Sequence, residues 1–515
     1  MEVKITLLVV FFAVTIGVGI FFRKRASDVS GFVLGNREVG PWLTAFAYGT
    51  SYFSAVVFVG FAGQFGWRYG ISATWIGLGN ALIGSLLPWV ILGRRTRIMT
   101  RHLGSATMPE FFANRYNSTA LKIAASIIVF VFLIPYTASL YNGLSRLFAM
   151  AFEVDFTVCI IAMAVLTGIY VIAGGYFATA VNNFIQGIIM IIGIVAVIAA
   201  VLGSRGGFMN SLELLANVED TAVSTTPGVF ASFFGPDPLN LLGVVILTSL
   251  GAWGLPQMVG KFYSITSEKA IFKGTVISTI FAVIIAGGSY FLGSFGRLFS
   301  TGADVAANGF DSIIPSMLSG FSDLLIGVIV IMVLAASIST LSSLVMASAS
   351  TFILDFIKGH FIKKMDDKKQ LFSIRVLVVV FIAISSIIAI VQYNTPGGIV
   401  FIAQLMGISW GALAGAFLAP FLYGLYWKRV TKASVWCSFL FGSLLMIANM
   451  LFRSSFPAIL QSPINSGAFA MLAGIIIVPV VSLITPKPAK EQIESCFSCY
   501  EETVTVKVMQ DLGAN

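Results

Sequence analysis

The chain has 515 residues, of which 57% are hydrophobic and only 10% charged, and its mean hydropathy is +0.95. Soluble proteins carry about 25% charged residues, so this composition excludes a cytosolic enzyme, a nucleic-acid binder and a disulfide-stabilised secreted domain. It predicts an all-α polytopic protein of the lipid bilayer, in which the positions of the charges matter more than the net charge of +9.

About thirteen apolar segments are long enough to cross a bilayer, which requires roughly 20 helical residues each. In chain order the predicted transmembrane helices are residues 4–22, 41–64, 71–92, 120–143, 151–174, 179–203, 238–258, 272–296, 320–352, 372–392, 396–426, 432–452 and 466–485.

The basic residues predict the orientation of these spans. The cluster Arg23 to Arg25 follows the first apolar run instead of preceding it, so we expect a retained anchor and not a cleaved leader. With the N-terminus outside, 25 of the 31 Lys and Arg residues fall in inside segments and 6 in outside segments, whereas acidic residues show no bias. The positive-inside rule therefore predicts a multi-pass plasma-membrane protein with its N-terminus outside and its C-terminus inside.

Ionisable residues fall in loops or at the ends of the predicted spans. Proton relays use buried ionisable groups, and an intramembrane hydrolase or metalloenzyme requires His, Cys or carboxylate clusters. We therefore expect neither a proton-coupled pump nor an enzyme. Hydroxyls, amides and backbone carbonyls remain as ligands at membrane depth, and without a carboxylate such oxygens suit a monovalent cation.

The second and seventh spans contain residues that interrupt a helix. Gly49 and Ser51 weaken the second span, and the seventh contains Gly251, Gly254 and Pro256, which should break it. Irregular backbone at membrane depth is tolerated where it lines a cavity, although each feature taken alone fits a simple kink.

The two interrupted helices hold matching positions in two sets of five spans, which predicts a transporter with inverted repeats and a central site. The predicted divisions are an N-terminal anchor helix and inside loop (1–40), a first repeat (41–203), an outside loop (204–237), a second repeat (238–426), two peripheral spans (427–485) and a cytosolic tail (486–515).

The ninth span carries the densest hydroxyl cluster of the chain. Residues three and four apart share a helix face. The stripe predicted on this face is Ala336, Ser339, Thr340 and Ser343, with Ser342 at its edge. Such hydroxyls also bond back to the preceding turn or assist helix packing, and this structural alternative stays open.

Several stretches resemble the sodium:solute symporter family, most closely its sodium/proline and sodium/pantothenate symporters. Within about residues 25–450 they are Gly31 to Arg37, Gly40 to Ala45, Gly49 to Ser51, Thr107 to Tyr116, Gly174 and Gly175, Gly254 to Gln257, Ala335 to Ser343 and Trp427 to Arg429. The resemblance implies a leucine-transporter-like fold, with a five-plus-five inverted repeat, one helix before it and two after. It also implies import of a small organic solute with Na+ by alternating access.

The resemblance implies site residues as well. The implied sodium ligands are the carbonyls of Thr50, Phe53 and Ala336 and the hydroxyls of Ser339 and Thr340. The implied solute contacts are Tyr52, Ser54, Gln64, Trp253 and Gln257, although Trp253 also fits a plain packing role. A second ion site would use Asn183, Ser342 and Ser343.

Two positions depart from the family pattern. Tyr52 stands where proline-type relatives carry Asp, and Asn183 stands where many relatives carry an Asp that serves a second sodium. We therefore expect one sodium per solute. A small amino acid or monocarboxylate is the favoured solute, and a sugar, polyol or sialic acid is the alternative. A channel or solute sensor is the alternative of another class.

Two short motifs have local interpretations. Thr107 and Glu110 fit a capping box of a short inside helix, with a gating role as the alternative. Cys496 and Cys499 form a C-x-x-C without a nearby His or second pair, so we expect plain thiols there.

Overall fold

A computed structural model describes residues 2–362, 365–394 and 402–501. Within these ranges the chain is helical, and β-type pairing is limited to two isolated bridges, Val39 with Ile265 and Asp220 with Ser224. The first residues of the predicted eleventh span (396–401) and the end of the predicted tail (502–515) lie outside the described residues.

The helices fall into three groups by length and type. Those of at least 12 residues are Glu2–Phe21, Pro41–Tyr52, Thr119–Phe152, Phe156–Gly203, Pro238–Gly254, Glu268–Ala282, Asp323–Thr351, Asp367–Asn394, Ile402–Tyr426, Lys432–Leu451 and Pro463–Ile484. Shorter α-helices are Val29–Leu34, Ala62–Tyr69, Thr74–Ala81, Arg94–His102, Met108–Tyr116, Phe208–Ala216, Pro256–Ser264, Gly288–Gly293, Gly302–Asn308, Ile313–Leu318 and Lys490–Phe497. π-Helical stretches are Val56–Phe61, Leu82–Leu86, Trp89–Gly93, Val283–Gly287 and Phe352–Phe361.

Ten helical stretches of the described chain are long and apolar enough to cross a membrane, or eleven if the bent pair Pro238–Gly254 and Pro256–Ser264 is one span. The sequence predicts thirteen spans. The two counts differ because the second and fifth predicted spans fall on Pro41–Tyr52 and Phe156–Ile169, which are each shorter than a full span. The count of thirteen therefore stays a prediction.

The predicted break in the second span is confirmed and lies after Tyr52. Pro41 occupies the first turn of this helix, where its missing N–H is no loss. Phe53 then adopts extended dihedrals (φ −107°, ψ 114°), and helical structure resumes at Ala55. This interruption at Phe53 and Ser54 is called the first break.

The predicted break in the seventh span is also confirmed. Leu255 is extended (φ −83°, ψ 121°), and Pro256 begins the following helix. The two helices bend by 44° at this point. A proline inside a helix removes one hydrogen bond and clashes with the preceding turn, which explains why the chain restarts here instead of continuing. This interruption is called the second break.

Asp323–Thr351, called the hydroxyl helix, is buried along most of its length and packs antiparallel against Phe156–Gly203. Thr179 contacts Met346 at one end of this contact, and Gly193 packs against Met332 at the other. The longer partner helix is kinked at Gly175, whose φ of 57° suits glycine. The hydroxyl helix thus holds its polar residues in the interior.

Close helix packing yields a stability prediction. A Cβ on Gly66 would lie 2.0 Å from the carbonyl oxygen of Gly293, so these two helices touch through their backbones. We expect Gly66→Ala to lower the thermal unfolding temperature in detergent, with an overpacking cost of about 1–3 kcal/mol. Gly17→Ala is the matched control, because nothing lies within 4 Å of its Cβ position. Equal unfolding temperatures for the two variants would contradict this packing.

Candidate functional site

Four of the five predicted sodium ligands come together between the first break and the hydroxyl helix. The Ser339 hydroxyl lies 3.0 Å from the Thr50 carbonyl oxygen and 2.8 Å from that of Ala336. The Thr340 hydroxyl lies 3.0 Å from each of the same two oxygens. A hydroxyl has one proton and donates fully to only one acceptor, so these oxygens crowd around a common point. We call them the four-oxygen site.

The first break explains why the Thr50 carbonyl is free to take part. The last backbone hydrogen bond of Pro41–Tyr52 runs from the Phe53 N–H to the Gly49 carbonyl at 3.1 Å. The carbonyl of Thr50 therefore belongs to the unpaired last turn of a helix. Thr50, Ser339 and Thr340 are all fully buried, so protein oxygens satisfy this carbonyl instead of bulk water.

The four-oxygen site has the chemistry of a monovalent cation site. All its ligands are neutral hydroxyl or carbonyl oxygens, which hard cations accept. No group of three His, Cys, Asp or Glu side chains that could hold a metal occurs in the part of the chain that the structure describes. A transition-metal or zinc centre would require such a group.

Other hydroxyls of the same helix behave as the structural alternative predicts. Ser337 donates to the Val333 carbonyl at 2.7 Å and Ser342 to the Ser339 carbonyl at 2.9 Å. These bonds run back to the preceding turn and reach no other helix. Reaching across to Thr50 distinguishes Ser339 and Thr340 from them.

Phe53 and Ser54 line a second feature, a small cavity with about 20 Å³ of water-accessible space that we call the central cavity. Its walls are Phe53, Ser54, Val57, Phe58, Met190, Ile194, Ile285, Ser289, Met332, Val333 and Ala336. Ala336 thus belongs both to this wall and to the four-oxygen site. The sequence did not single out Ser289, because a lone serine in an apolar span carries no distinguishing pattern.

The remaining predicted solute residues lie away from the central cavity. The Tyr52 hydroxyl donates to the Thr248 carbonyl, and the Trp253 indole N–H donates to the Ile83 carbonyl at 2.8 Å. Their polar groups are thus engaged by backbone. Gln64 is buried in Ala62–Tyr69, and Gln257 lines a different cavity. Ser54 is the one residue of the predicted solute set on the wall of the central cavity.

The cavity that contains Gln257 has about 70 Å³ of water-accessible space, and we call it the lysine cavity. Its lining includes Leu34, Thr107, Tyr176, Gln257, Lys261, Ser343 and Thr351. Leu34 and Thr107 belong to segments that the sequence places on the inside, so this cavity extends from the hydroxyl helix toward them.

Lys261 corrects the expectation that every charge lies in a loop or at the end of a span. The predicted seventh span stops at residue 258, whereas the helix after the second break continues to Ser264 and carries Lys261 into the interior. Its side chain is only 3% exposed, and its Nζ donates to the Ser343 hydroxyl at 3.0 Å. The sequence did contain a signal for this burial, because Lys261 follows Gln257 by four residues and therefore shares its helix face.

Ser343 connects three elements through one hydroxyl. Its Oγ lies 2.7 Å from the Ser51 hydroxyl, 3.1 Å from the Ser339 carbonyl oxygen and 3.0 Å from Lys261 Nζ. Ser51, which immediately follows Thr50, is a site residue that sequence reasoning missed. The hydroxyl network therefore joins the helix before the first break to the helix after the second.

Asn183 lies on the partner of the hydroxyl helix. Thr179 contacts Met346 on the hydroxyl helix. Because the two helices are antiparallel, Asn183, one turn after Thr179, lies level with Ser342, one turn before Met346. The Asn183 amide is fully buried, and neither its oxygen nor its nitrogen has a hydrogen-bond partner among the described residues. All three members of the predicted second ion site thus lie along one helix contact.

Basic side chains gather at one end of the molecule. Arg37, Arg101, Lys122 and Lys358 line one shallow cavity there, and we call this the basic end. Arg37 donates to the carbonyls of Ser105 and Tyr263, at 2.7 and 3.1 Å, and partial burial lowers its guanidinium pKa.

Thr107 has two partners at the basic end. It caps Met108–Tyr116 by accepting from the Glu110 N–H at 3.2 Å, while the Glu110 carboxylate accepts from the Ala106 N–H at 2.8 Å. Its hydroxyl also donates to Asp355, which lies 3.2 Å from Lys122 Nζ. Asp355 is another correction, because the ninth span continues as a π-helix to Phe361 and buries this carboxylate.

The tail segment packs against the basic end. Gln492 donates to the Arg115 carbonyl at 3.0 Å, and the Arg115 guanidinium lies 4.9 Å from the Phe497 ring centroid. Cys496 and Cys499 are buried, and the Cys499 Sγ lies 3.4 Å from the Cys496 carbonyl oxygen. That they are plain thiols stays a prediction.

Asp311 is a buried carboxylate outside the membrane-spanning segments. It is 2% exposed and accepts from the Ile402 N–H at 3.3 Å, where it meets the positive end of a helix dipole. Its other oxygen has no partner among the described residues. Burial raises the Asp311 pKa to about 6, an effect that nearby Arg146 partly offsets.

Comparisons of the sequence with known proteins identify one family. A sequence model described as the Sodium:solute symporter family matches residues 32–442. A "Sodium/proline symporter" of Staphylococcus aureus is 27% identical over 496 residues, and one of strain JH9 is 28% identical over 497 residues. Both alignments cover 94% of this chain and 92% of the relative.

A solved structure of a Na+-coupled sialic acid symporter, in a substrate-bound outward-open state, shares the fold. Its TM-score is 0.72 at 16% sequence identity, and the match covers 95% of this chain and 99% of that chain.

Asp311 yields a pH prediction. Its pKa is higher in the folded state than the value of 3.8 for an unperturbed Asp, so the folded chain retains a proton that the unfolded chain has lost. Its contribution to the unfolding free energy is therefore largest below about pH 4 and falls as pH rises to about 6, by at most about 1.4 kcal/mol per pH unit.

The Asp311→Asn variant should lack this contribution. We expect the difference in thermal unfolding temperature between wild type and Asp311→Asn to change between pH 4 and 6 and to be constant above about pH 7. A difference that is independent of pH throughout would contradict a raised pKa.

Proposed function

Because the chain belongs to the sodium:solute symporter family, we propose that it imports a small organic solute together with sodium by alternating access. It is a multi-pass protein of the plasma membrane. The observation that carries the proposal is the four-oxygen site, where uncharged oxygens from an interrupted helix and a continuous helix meet in the interior. Sodium is the coupling ion proposed for this site.

Sodium binding replaces hydrogen bonds that the site makes with itself. The hydroxyls of Ser339 and Thr340 lie within hydrogen-bond distance of the carbonyls of Thr50 and Ala336. When the ion binds, both hydroxyls rotate so that their lone pairs face it. The carbonyl oxygens that accepted the hydroxyl protons then coordinate the ion instead. The ion then fixes the end of Pro41–Tyr52 against the hydroxyl helix.

The solute is coupled to sodium through shared walls. Ala336 contributes its carbonyl to the four-oxygen site and its side to the central cavity, and Phe53 and Ser54 form the first break itself. Ordering the break around sodium therefore preorganises the solute cavity. Coupling of this kind typically amounts to about 1–3 kcal/mol, and the membrane potential adds roughly 2.3 kcal/mol per charge per 100 mV.

The central cavity favours a small amino acid or monocarboxylate. Its polar side chains are the hydroxyls of Ser54 and Ser289, and the rest of its wall is apolar. A sugar, polyol or sialic acid brings many polar groups, each of which needs a partner when buried. The relatives named sodium/proline symporters also support an amino acid. A carboxylate would lie beside Ala336 and Phe53, next to the sodium.

The orientation and repeat structure complete the proposal. The basic end collects residues predicted to lie inside, which supports an outside N-terminus and an inside C-terminus. One break interrupts the first predicted span of each of the repeats 41–203 and 238–426. This correspondence supports a five-plus-five inverted repeat within thirteen spans. The lysine cavity then leads from the hydroxyl helix toward the cytoplasm.

Removing one hydroxyl from the four-oxygen site tests the function. We expect Ser339→Ala or Thr340→Ala to raise the sodium concentration for half-maximal uptake about tenfold, since losing one ligand interaction of about 1.4 kcal/mol changes binding by that factor. Ser337→Ala is the matched control, because Ser337 bonds only to its own helix. The measurement is uptake into proteoliposomes of a solute found by screening radiolabelled amino acids and monocarboxylates.

Two results would contradict the proposal. Uptake that continues unchanged when choline replaces sodium would exclude sodium coupling. A sodium requirement that is equal in wild type, Ser337→Ala, Ser339→Ala and Thr340→Ala would exclude these hydroxyls as ligands.

A further inference from the structure

The molecule buries a lysine amine beside the candidate second ion site. Lys261 is 3% exposed and donates to the Ser343 hydroxyl at 3.0 Å. The ion pairs formed by residues that the structure describes do not include Lys261. A buried ammonium without a carboxylate has to be stabilised by neutral groups around it.

Such neutral groups surround the Lys261 ammonium. Besides the Ser343 hydroxyl, the Tyr176 ring lies 5.1 Å from Nζ, a distance at which an aromatic face attracts a cation. Gln257 lines the same cavity one turn earlier on the same helix, and its amide oxygen has no hydrogen-bond partner among the described residues. Hydroxyl, π-face and amide together are the surroundings of a cation.

The same position is where a second ion would bind. Ser342 and Ser343 are adjacent on the hydroxyl helix, and Asn183 lies level with Ser342 on the facing helix. An ion bound to Ser343 would also lie next to the Lys261 ammonium, and like charges repel strongly in a buried, low-dielectric site.

We propose that the Lys261 side chain is a built-in cation that occupies the candidate second ion site, so that the chain binds sodium only at the four-oxygen site. This inference rests on the proposed function and adds its stoichiometry, one sodium per solute. The side chain does the work of a bound ion without being taken up or released.

Lys261 also connects the second break to the sodium ligands. Its ammonium donates to the Ser343 hydroxyl, which is 3.1 Å from the Ser339 carbonyl. Ser339 is the residue whose hydroxyl is a proposed ligand. Lys261 belongs to the helix that begins after the second break. A movement of that helix therefore reaches the four-oxygen site through Lys261 and Ser343. The connection is made by a side chain of the protein and needs no exchangeable ion.

Counting bound sodium tests the inference directly. The experiment measures equilibrium binding of ²²Na+ to the purified full-length chain in detergent. We expect wild type to bind one sodium per chain with a Hill coefficient near 1. Lys261→Arg, which keeps the charge, should also bind one. Lys261→Gln combined with Asn183→Asp removes the fixed cation and supplies a carboxylate, and this double variant should bind two.

Two single variants complete the test. Asn183→Asp is the control for the carboxylate alone, and we expect it still to bind one sodium while Lys261 is present. Lys261→Gln should bind a second sodium at higher concentration, since neutral oxygens then face an empty position. This second variant decides the question if the double variant is not monodisperse in size-exclusion chromatography.

Each outcome separates the inference from the proposed function. Two sodium ions bound by wild type would overturn the inference, as would a count of one in both Lys261→Gln and the double variant. Wild type that binds no sodium would overturn the proposed function itself. A count of one in wild type that rises to two when the ammonium is removed supports both.

Discussion

The structure depends on one unpaired carbonyl. Pro41–Tyr52 ends inside the molecule, and the oxygen of Thr50 has to be satisfied where no bulk water reaches it. A polar backbone group left without a partner at membrane depth costs several kcal/mol. The hydroxyls of Ser339 and Thr340 supply the partners, which ties the interrupted helix to a continuous one. We propose that a small cation replaces those hydrogen bonds during transport.

The buried charged side chains lie outside the four-oxygen site. Lys261 reaches the network through Ser343 on the side of the lysine cavity, and Asp355 meets Lys122 closer to the basic end. The four-oxygen site itself contains no ionisable side chain. We therefore propose that it selects a monovalent ion, because a divalent ion would leave uncompensated charge in the interior.

Much of this arrangement could be predicted from the sequence, and the failures have physical reasons. Glycine and proline residues predicted both breaks, and helical periodicity predicted that Ser339 and Thr340 share one helix face. The partners of Tyr52 and Trp253 could not be foreseen, because the carbonyls of Thr248 and Ile83 are distant in sequence. The burial of Lys261 was missed because a helix that restarts after a proline looks, in composition, like the beginning of a polar loop.

The central claim is that an ion sits between the first break and the hydroxyl helix. An experimental structure of the chain in thallium, a heavy monovalent cation with an anomalous signal, tests it most directly. The account predicts one anomalous peak in contact with the carbonyl oxygens of Thr50 and Ala336 and the hydroxyls of Ser339 and Thr340, and its loss when sodium is in excess. A peak elsewhere, or an unoccupied site in which both hydroxyls still donate to the carbonyls, would contradict it.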